Sequence, residues 1–352
     1  MSRLGSAVLT ALSLVMLFAL SAGAARASHV QCGDVITQDT TLDSDLIDCP
    51  RSGVVIGVRD ITLDLGGHVI DGPNLPPNFF FDEPPDGVDN RAGHDRVTIQ
   101  NGSIREFRQG VDIGGFREGI GETPSTGNVV RNMQISSDRG VEASVASELT
   151  LEGNTIQSRV WAVLAADTHD SVVLDNRATS IPPILGGASI SILNGQFDLA
   201  GRNVIRGNRV SGGDIEIAGS GSLVTRNSVF GGLDAGVALM DPGNIASRNF
   251  VTGQSLGLFV RGNNRIVMNR AIQNRGDGIR VEGGNPELIR NTASGNRDDG
   301  IEINSAGTLV SKSRADDNGD LGIEAISGVV DGGKNRASGN GNPLQCLNVF
   351  CK

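Results

Sequence analysis

The chain has 352 residues, 40 of them acidic and 30 Lys or Arg, for a formal net charge of −10. That balance argues against nucleic acid or anionic membrane as partners, since both reward a basic footprint, and it leaves room for divalent cations or neutral glycans. Glycine is abundant at 49 residues, tryptophan occurs once and tyrosine not at all, which suits many tight turns around a narrow aliphatic core.

Residues 1–27 have the form of a secretory signal. Arg3 supplies the positive start, Ala7 to Leu20 is apolar, and Ala25-Arg26-Ala27 fits the small-x-small cleavage rule. The apolar run is too short and wrongly flanked for a membrane span, and no later segment could cross a bilayer. A secreted, extracellular or cell-envelope location follows. Residues 28–72 are expected to form an N-terminal cap and the first coils. Cys32 and Cys49 lie there, and Cys346 and Cys351 lie in a closing segment, 346–352. In an oxidising compartment two disulfides are expected, because neither pair has the CxxC spacing of a metal site. Closing the Cys32–Cys49 loop would stabilise the fold by roughly 3 kcal/mol in the chain-entropy model.

Residues 73–345 repeat. Asn274, Asn296, Asn318 and Asn340 recur every 22 residues, as do Gly278, Gly300 and Gly322, each followed by Ile279, Ile301 or Ile323. A period of this size marks a solenoid. The units contain short runs such as GIRVEG and GIEIN, rich in Ile and Val and broken by Gly, Asn and Asp, so they read as strands. Stacked in parallel with a right-handed path, they predict an all-β, right-handed, single-stranded parallel β-helix of roughly a dozen coils about 4.8 Å apart. A second asparagine series runs Asn132, Asn154, Asn176, Asn208, Asn227, Asn249, Asn269, Asn291, then Ser313 and Asn335. Asn tolerates the left-handed turn conformation, and stacked amides can bond along a column, so both series are expected to be structural.

The opening CGDVITQDTTLDSDLIDCP…ITLDLGGHVIDG, the repeating Asn-Gly coils and the closing QCLNVFC resemble secreted bacterial right-handed β-helix proteins of the pectate-lyase-like, carbohydrate-associated group. The resemblance covers nearly all of the chain after the signal. It implies the fold and leaves function open, since the group spans polysaccharide lyases, glycosidases, uronate epimerases, surface binding proteins and a periplasmic accessory protein of copper-enzyme maturation. It also implies that the outward face of one sheet is the substrate groove.

Alternation within the main strand predicts an inward column through Val88, Val111, Val141, Val237, Leu258, Ile279, Ile301 and Ile323. One residue later an outward column is expected, beginning Asp89, Asp112, Glu142 and continuing through Ser189 and Glu216 to Arg280, Glu302 and Glu324, with the coil at Leu164 ambiguous by one residue. Asp89, Asp112 and Glu142 are the candidate catalytic residues. Like charges at coil spacing raise one carboxyl pKa, giving a general acid beside an ionised partner, or they hold a divalent cation. No cofactor is required, and Ca2+ is the candidate cation because its ligands are oxygens. Two long segments flank these residues, PNLPPNFFFDEPPD at 73–86 and GGFREGIGETPSTGN after Asp112. Phe79, Phe80 and Phe81 could stack on sugars, and Arg91, His94, Arg117 and Arg139 could bind acidic sugar groups. Arg280, Glu302 and Glu324 read as a salt-bridge ladder, with Asp277, Asp298 and Asp299 as turn formers.

The segment DTHD at 167–170 resembles the Asp-x-His-acid signature of alginate epimerases. It has Thr168 where that signature has Pro, and the chain has no tyrosine to serve as that family's catalytic residue. Copper lacks ligands: His29, His68, His94 and His169 are scattered, as are five methionines. The expected partner is a polysaccharide or uronate-containing glycan. Three functions stay open: a carbohydrate-binding or surface-associated module; a polysaccharide lyase, glycosidase or epimerase using the three carboxylates; and a structural or partner-binding scaffold.

Overall fold

The structure, a computed structural model, describes residues 29–73, 85–117, 121–181 and 189–352. The expected signal and Phe79, Phe80 and Phe81 lie outside the described residues. The chain is a right-handed parallel β-helix. Most coils contribute three short strands, each hydrogen-bonded in parallel to the equivalent strand of the next coil. In the coil after Asn274, for example, Ile279–Val281, Glu287–Ile289 and Thr292–Ser294 pair with Ile301–Ile303, Leu309–Ser311 and Arg314–Asp316. The result is three parallel sheets around one core. Among the described residues no helix is long and apolar enough to cross a membrane.

The first sheet holds the expected inward column. Val88 pairs with Val111 and Val111 with Val141, and the column continues through Val237, Leu258, Ile279, Ile301 and Ile323, all at 0–1% exposure. The outward column differs at one coil. Leu164 belongs to it, and Ser191, not Ser189, is its next member, pairing with Leu164 and Glu216. The 32-residue step between Asn176 and Asn208 hides this phase in the sequence. The third sheet turns small residues inward, Ala271, Ala293, Ala315 and Ala337. This narrow wall explains Gly278, Gly300 and Gly322. A Cβ on Gly278 would come within 2.7 Å of the Ala293 Cβ and 2.6 Å of the Asn296 amide nitrogen, and the other two are equally hemmed in. These glycines are required by close approach across the core.

The asparagines form ladders, as expected, but the left-handed turn belongs to their neighbours. Arg226, Arg248, Met268 and Arg290 have φ of 56–59°, and each precedes a ladder asparagine that points inward. Asn227 shows the bonding. Its Oδ1 accepts from the backbone N–H of Asn208 at 2.9 Å and from Asn208 Nδ2 at 3.0 Å, while its Nδ2 donates to the Ile205 carbonyl and to Asn249 Oδ1. Asn132 is not part of this ladder. It is exposed, with φ of 54°, and Met133 takes the inward place. A further ladder mixes Ser with Asn through Ser171, Asn203, Ser222, Asn244 and Asn264. The two disulfides are Cys32–Cys49 and Cys346–Cys351, one at each end of the solenoid.

Asn227→Ala is expected to cost about 2–4 kcal/mol, because it strands the buried Asn208 N–H and Ile205 carbonyl of the preceding coil. Asn132→Gly should stay within about 0.5 kcal/mol, since it keeps the left-handed backbone and buries nothing. Chemical denaturation of the two variants checks both; equal stabilities would refute the ladder's role.

Candidate functional site

The outward face of the first sheet is polar at both ends. At the N-terminal end Asp89 pairs directly with Asp112, and Asp112 with Glu142, so the three expected carboxylates lie on adjacent strands. Each of the three has a partner. Arg91 reaches back over its own strand, Asp86–Asn90. Its Nε donates to Asp86 Oδ2 at 2.9 Å and to Asp112 Oδ2 at 3.1 Å, and its backbone N–H donates to Asp89 Oδ1 at 2.9 Å. Arg139 Nη1 donates to Glu142 Oε2 at 2.8 Å, and Gln109 Nε2 donates to the same oxygen. The Arg139 guanidinium sits 5.1 Å from the centre of the Trp161 ring. His94 follows on the turn, where the Asn90 side chain brackets its backbone with two hydrogen bonds. Arg117 belongs to a hairpin of Gly115–Arg117 with Gly121–Thr123.

Asp86 is the residue that sequence reasoning missed. It is fully buried, and its Oδ1 has no hydrogen-bond partner. Burial, opposed by Arg91, pushes its carboxyl up to about 8. Burial and the neighbouring Asp86 charge also push Asp112 well above the usual carboxylate range. One guanidinium faces two buried carboxyls, so this pair keeps a proton where exposed aspartates have none. A proton held there is chemically usable as an acid. Asp86 shares the phase of Val88 and is the last residue of the 73–86 insertion, and both features hid it. Trp161 was hidden by the irregular register between Trp161 and Val163. Its being the chain's one tryptophan was the available signal.

At the C-terminal end, Arg280 bridges Asp277 at 2.7 Å and Glu302 at 2.5 Å, the expected ladder. Asp277 and Asp299 do more than form turns. Asp277 Oδ1 accepts from the Asp299 N–H, and Asp299 Oδ1 from the Leu321 N–H, which ties consecutive coils together. Burial, reinforced by a hydrogen bond with Glu324, pushes Asp299 up to about 8, and burial raises Asp277 to about 6. Asp277, Asp298 and Asp299 bring carboxylate oxygens within 4.8 Å of one another, the best set for a hard cation among the described residues. Several of these oxygens are already engaged by backbone N–H groups and Arg280. At the N-terminal carboxylates Arg91 and Arg139 supply the positive charge.

The DTHD segment is structural. Asp167 is buried, and its carboxylate accepts from the N–H groups of Gly195, Phe197 and Leu199, anchoring that loop. His169 hydrogen-bonds Asp170, which is also paired with Arg202.

Right-handed parallel β-helix proteins are thus the class to which the fold assigns the chain. A family model described as NosD, periplasmic copper-binding protein, matches residues 187–340. Among solved structures, the periplasmic alginate epimerase AlgG is similar: one single-residue mutant of it shares 17% identity at a TM-score of 0.53, over 86% of this chain and 73% of that one. A second single-residue mutant of AlgG gives 15% identity and 0.50, over 87% and 74%. The catalytic domain of a GH87 α-1,3-glucanase aligns at 11% identity and 0.46, over 92% and 63%. No curated protein sequence matches the chain. The residues do not fit copper. The matched segment contains no histidine and no cysteine, and its two methionines, Met240 and Met268, follow strands of different sheets.

Asp86 and Asp299 stay protonated in the folded protein to about pH 8, whereas an unfolded aspartate gives up its proton near the ordinary 3.8. The stability they contribute is present at low pH and is lost as pH rises through about 8. Melting temperature should therefore fall between about pH 5 and pH 8, and less steeply in Asp86→Asn. An identical fall in that variant would remove Asp86 as a source.

Proposed function

We propose that the protein is an exported module that binds polysaccharide along the outward face of the first sheet, at the coils carrying Asp86 to Trp161. The observation that carries this reading is the Arg139–Trp161 pair beside Glu142 and Gln109. An indole face suits the apolar side of a sugar ring, and the adjacent amide, carboxylate and guanidinium suit its hydroxyl and acidic groups. Binding is favoured over turnover because Asp112 and Glu142 are both neutralised by arginine, and Asp89 accepts a backbone N–H; none stands free as a base. The likeness in fold to a periplasmic alginate epimerase is in keeping with a glycan partner. A uronate is the finer assignment, resting on the partly exposed Arg139. An exported location is supported by the leader-like N-terminus and the two disulfides. One observation favours the catalytic alternative, a lyase, glycosidase or epimerase: the buried Asp86 and Asp112 carboxyls share a single guanidinium, that of Arg91.

Trp161→Ala should weaken glycan binding about tenfold with the fold intact. Asp112→Asn should leave binding in place, with no glycan turned over by either protein. Turnover by the native chain that is abolished in Asp112→Asn would establish the enzyme instead, and a glycan array without a single ligand would leave the scaffold reading.

A further inference from the structure

On the C-terminal coils, the corner between the second and third sheets carries cations in two files. The first file is the left-handed turn residue of the C-terminal coils, Arg226, Arg248, Met268, Arg290, Lys312 and Lys334, with φ of 55–64°; upstream, Asp175 and Gly207 take that place. The cations of this file are exposed, and among the described residues none of them makes an ion pair. The second file lies two to four residues later, on the outward positions of the third sheet. There Arg209 stands 4.4 Å over the Phe230 ring, Phe230 and Phe250 are 5.9 Å apart, and Arg270 stands 5.6 Å from Phe250. This stack takes one member from each of four successive coils. Between the files run Asn227, Asn249, Asn269 and Asn291, whose ladder holds both at coil spacing.

We infer that this ridge is a second binding surface, for a linear acidic polysaccharide lying along the solenoid axis. The reading is independent of the groove on the first sheet. A row of unpaired cations on coils about 4.8 Å apart, interrupted at Met268, matches a chain with one carboxylate per sugar, whose extended repeat is comparable. The half-buried Phe230 and Phe250 rings offer flat faces to sugar rings, and Arg209 and Arg270 close the stack at each end. A membrane would call for protruding apolar side chains, which this ridge lacks.

The test is binding of sodium polygalacturonate to the full chain by calorimetry at several salt concentrations, with dextran as neutral control and oligo-dT as competitor. Polygalacturonate should bind, more weakly as salt rises, and dextran should not bind at the ridge. R209Q/R270Q should weaken binding about tenfold at low salt. R226N/R248N/R290N should do the same while keeping a backbone conformation asparagine tolerates, which covers failure of the first variant to fold. Wild-type affinity in both variants would overturn the ridge, and so would preferential binding of oligo-dT. Trp161→Ala distinguishes the two surfaces, because loss there with the ridge variants unchanged would place all binding in the groove.

Discussion

One bond type sets the geometry of the whole molecule: an inward asparagine carbonyl oxygen accepting the backbone N–H of the preceding coil. Asn227, Asn249 and Asn269 repeat it, and the amides of Asn208, Asn227 and Asn249 also donate to main-chain carbonyls of the preceding coil. At a corner, backbone groups point out of the sheets and would otherwise be buried without partners. The amide satisfies them and fixes the axial offset at the same time. Register in the three sheets, and hence every column of side chains on the surface, follows from it.

The columns were legible in the sequence because a stacked fold converts period into proximity. Val111, Val141 and Ile301 are core, and Asp89, Asp112 and Glu142 are neighbours, on no more than spacing and alternation. Legibility failed where spacing fails. The outward place of Ser191 was lost in a coil of irregular length, and Trp161 in an irregular register. Asp86 was lost because alternation assigns it to the interior, where a carboxylate is not expected. The Asn132 position shows a subtler limit: the same residue type serves one place in the turn and its neighbour, and only the phase of the surrounding strands separates them. The ladder through Ser171, Asn203 and Ser222 escaped notice because two residue types share one bonding role.

Adjacency of carboxylates is not by itself an active site. At the N-terminal coils three of them are in register, yet Arg91 and Arg139 take up the charge that would otherwise call in a cation. The same device recurs at Arg280 between Asp277 and Glu302. The groove is therefore a series of compensated charges with an indole beside them, a surface suited to holding a glycan. The match to a model described as copper-binding spans residues 187–340, a stretch without histidine or cysteine, so it brings no soft ligand set with it.

Gly278, Gly300 and Gly322 carry a further consequence for how such a chain changes length. Each has no room for a methyl group because the alanine of its own coil and the asparagine that opens the next fill the space. Void and filler thus recur together at every period, and a segment copied whole brings both. The molecule can lengthen or shorten by entire turns without disturbing its interior, whereas an extra residue inside a turn has to emerge at a corner as a loop.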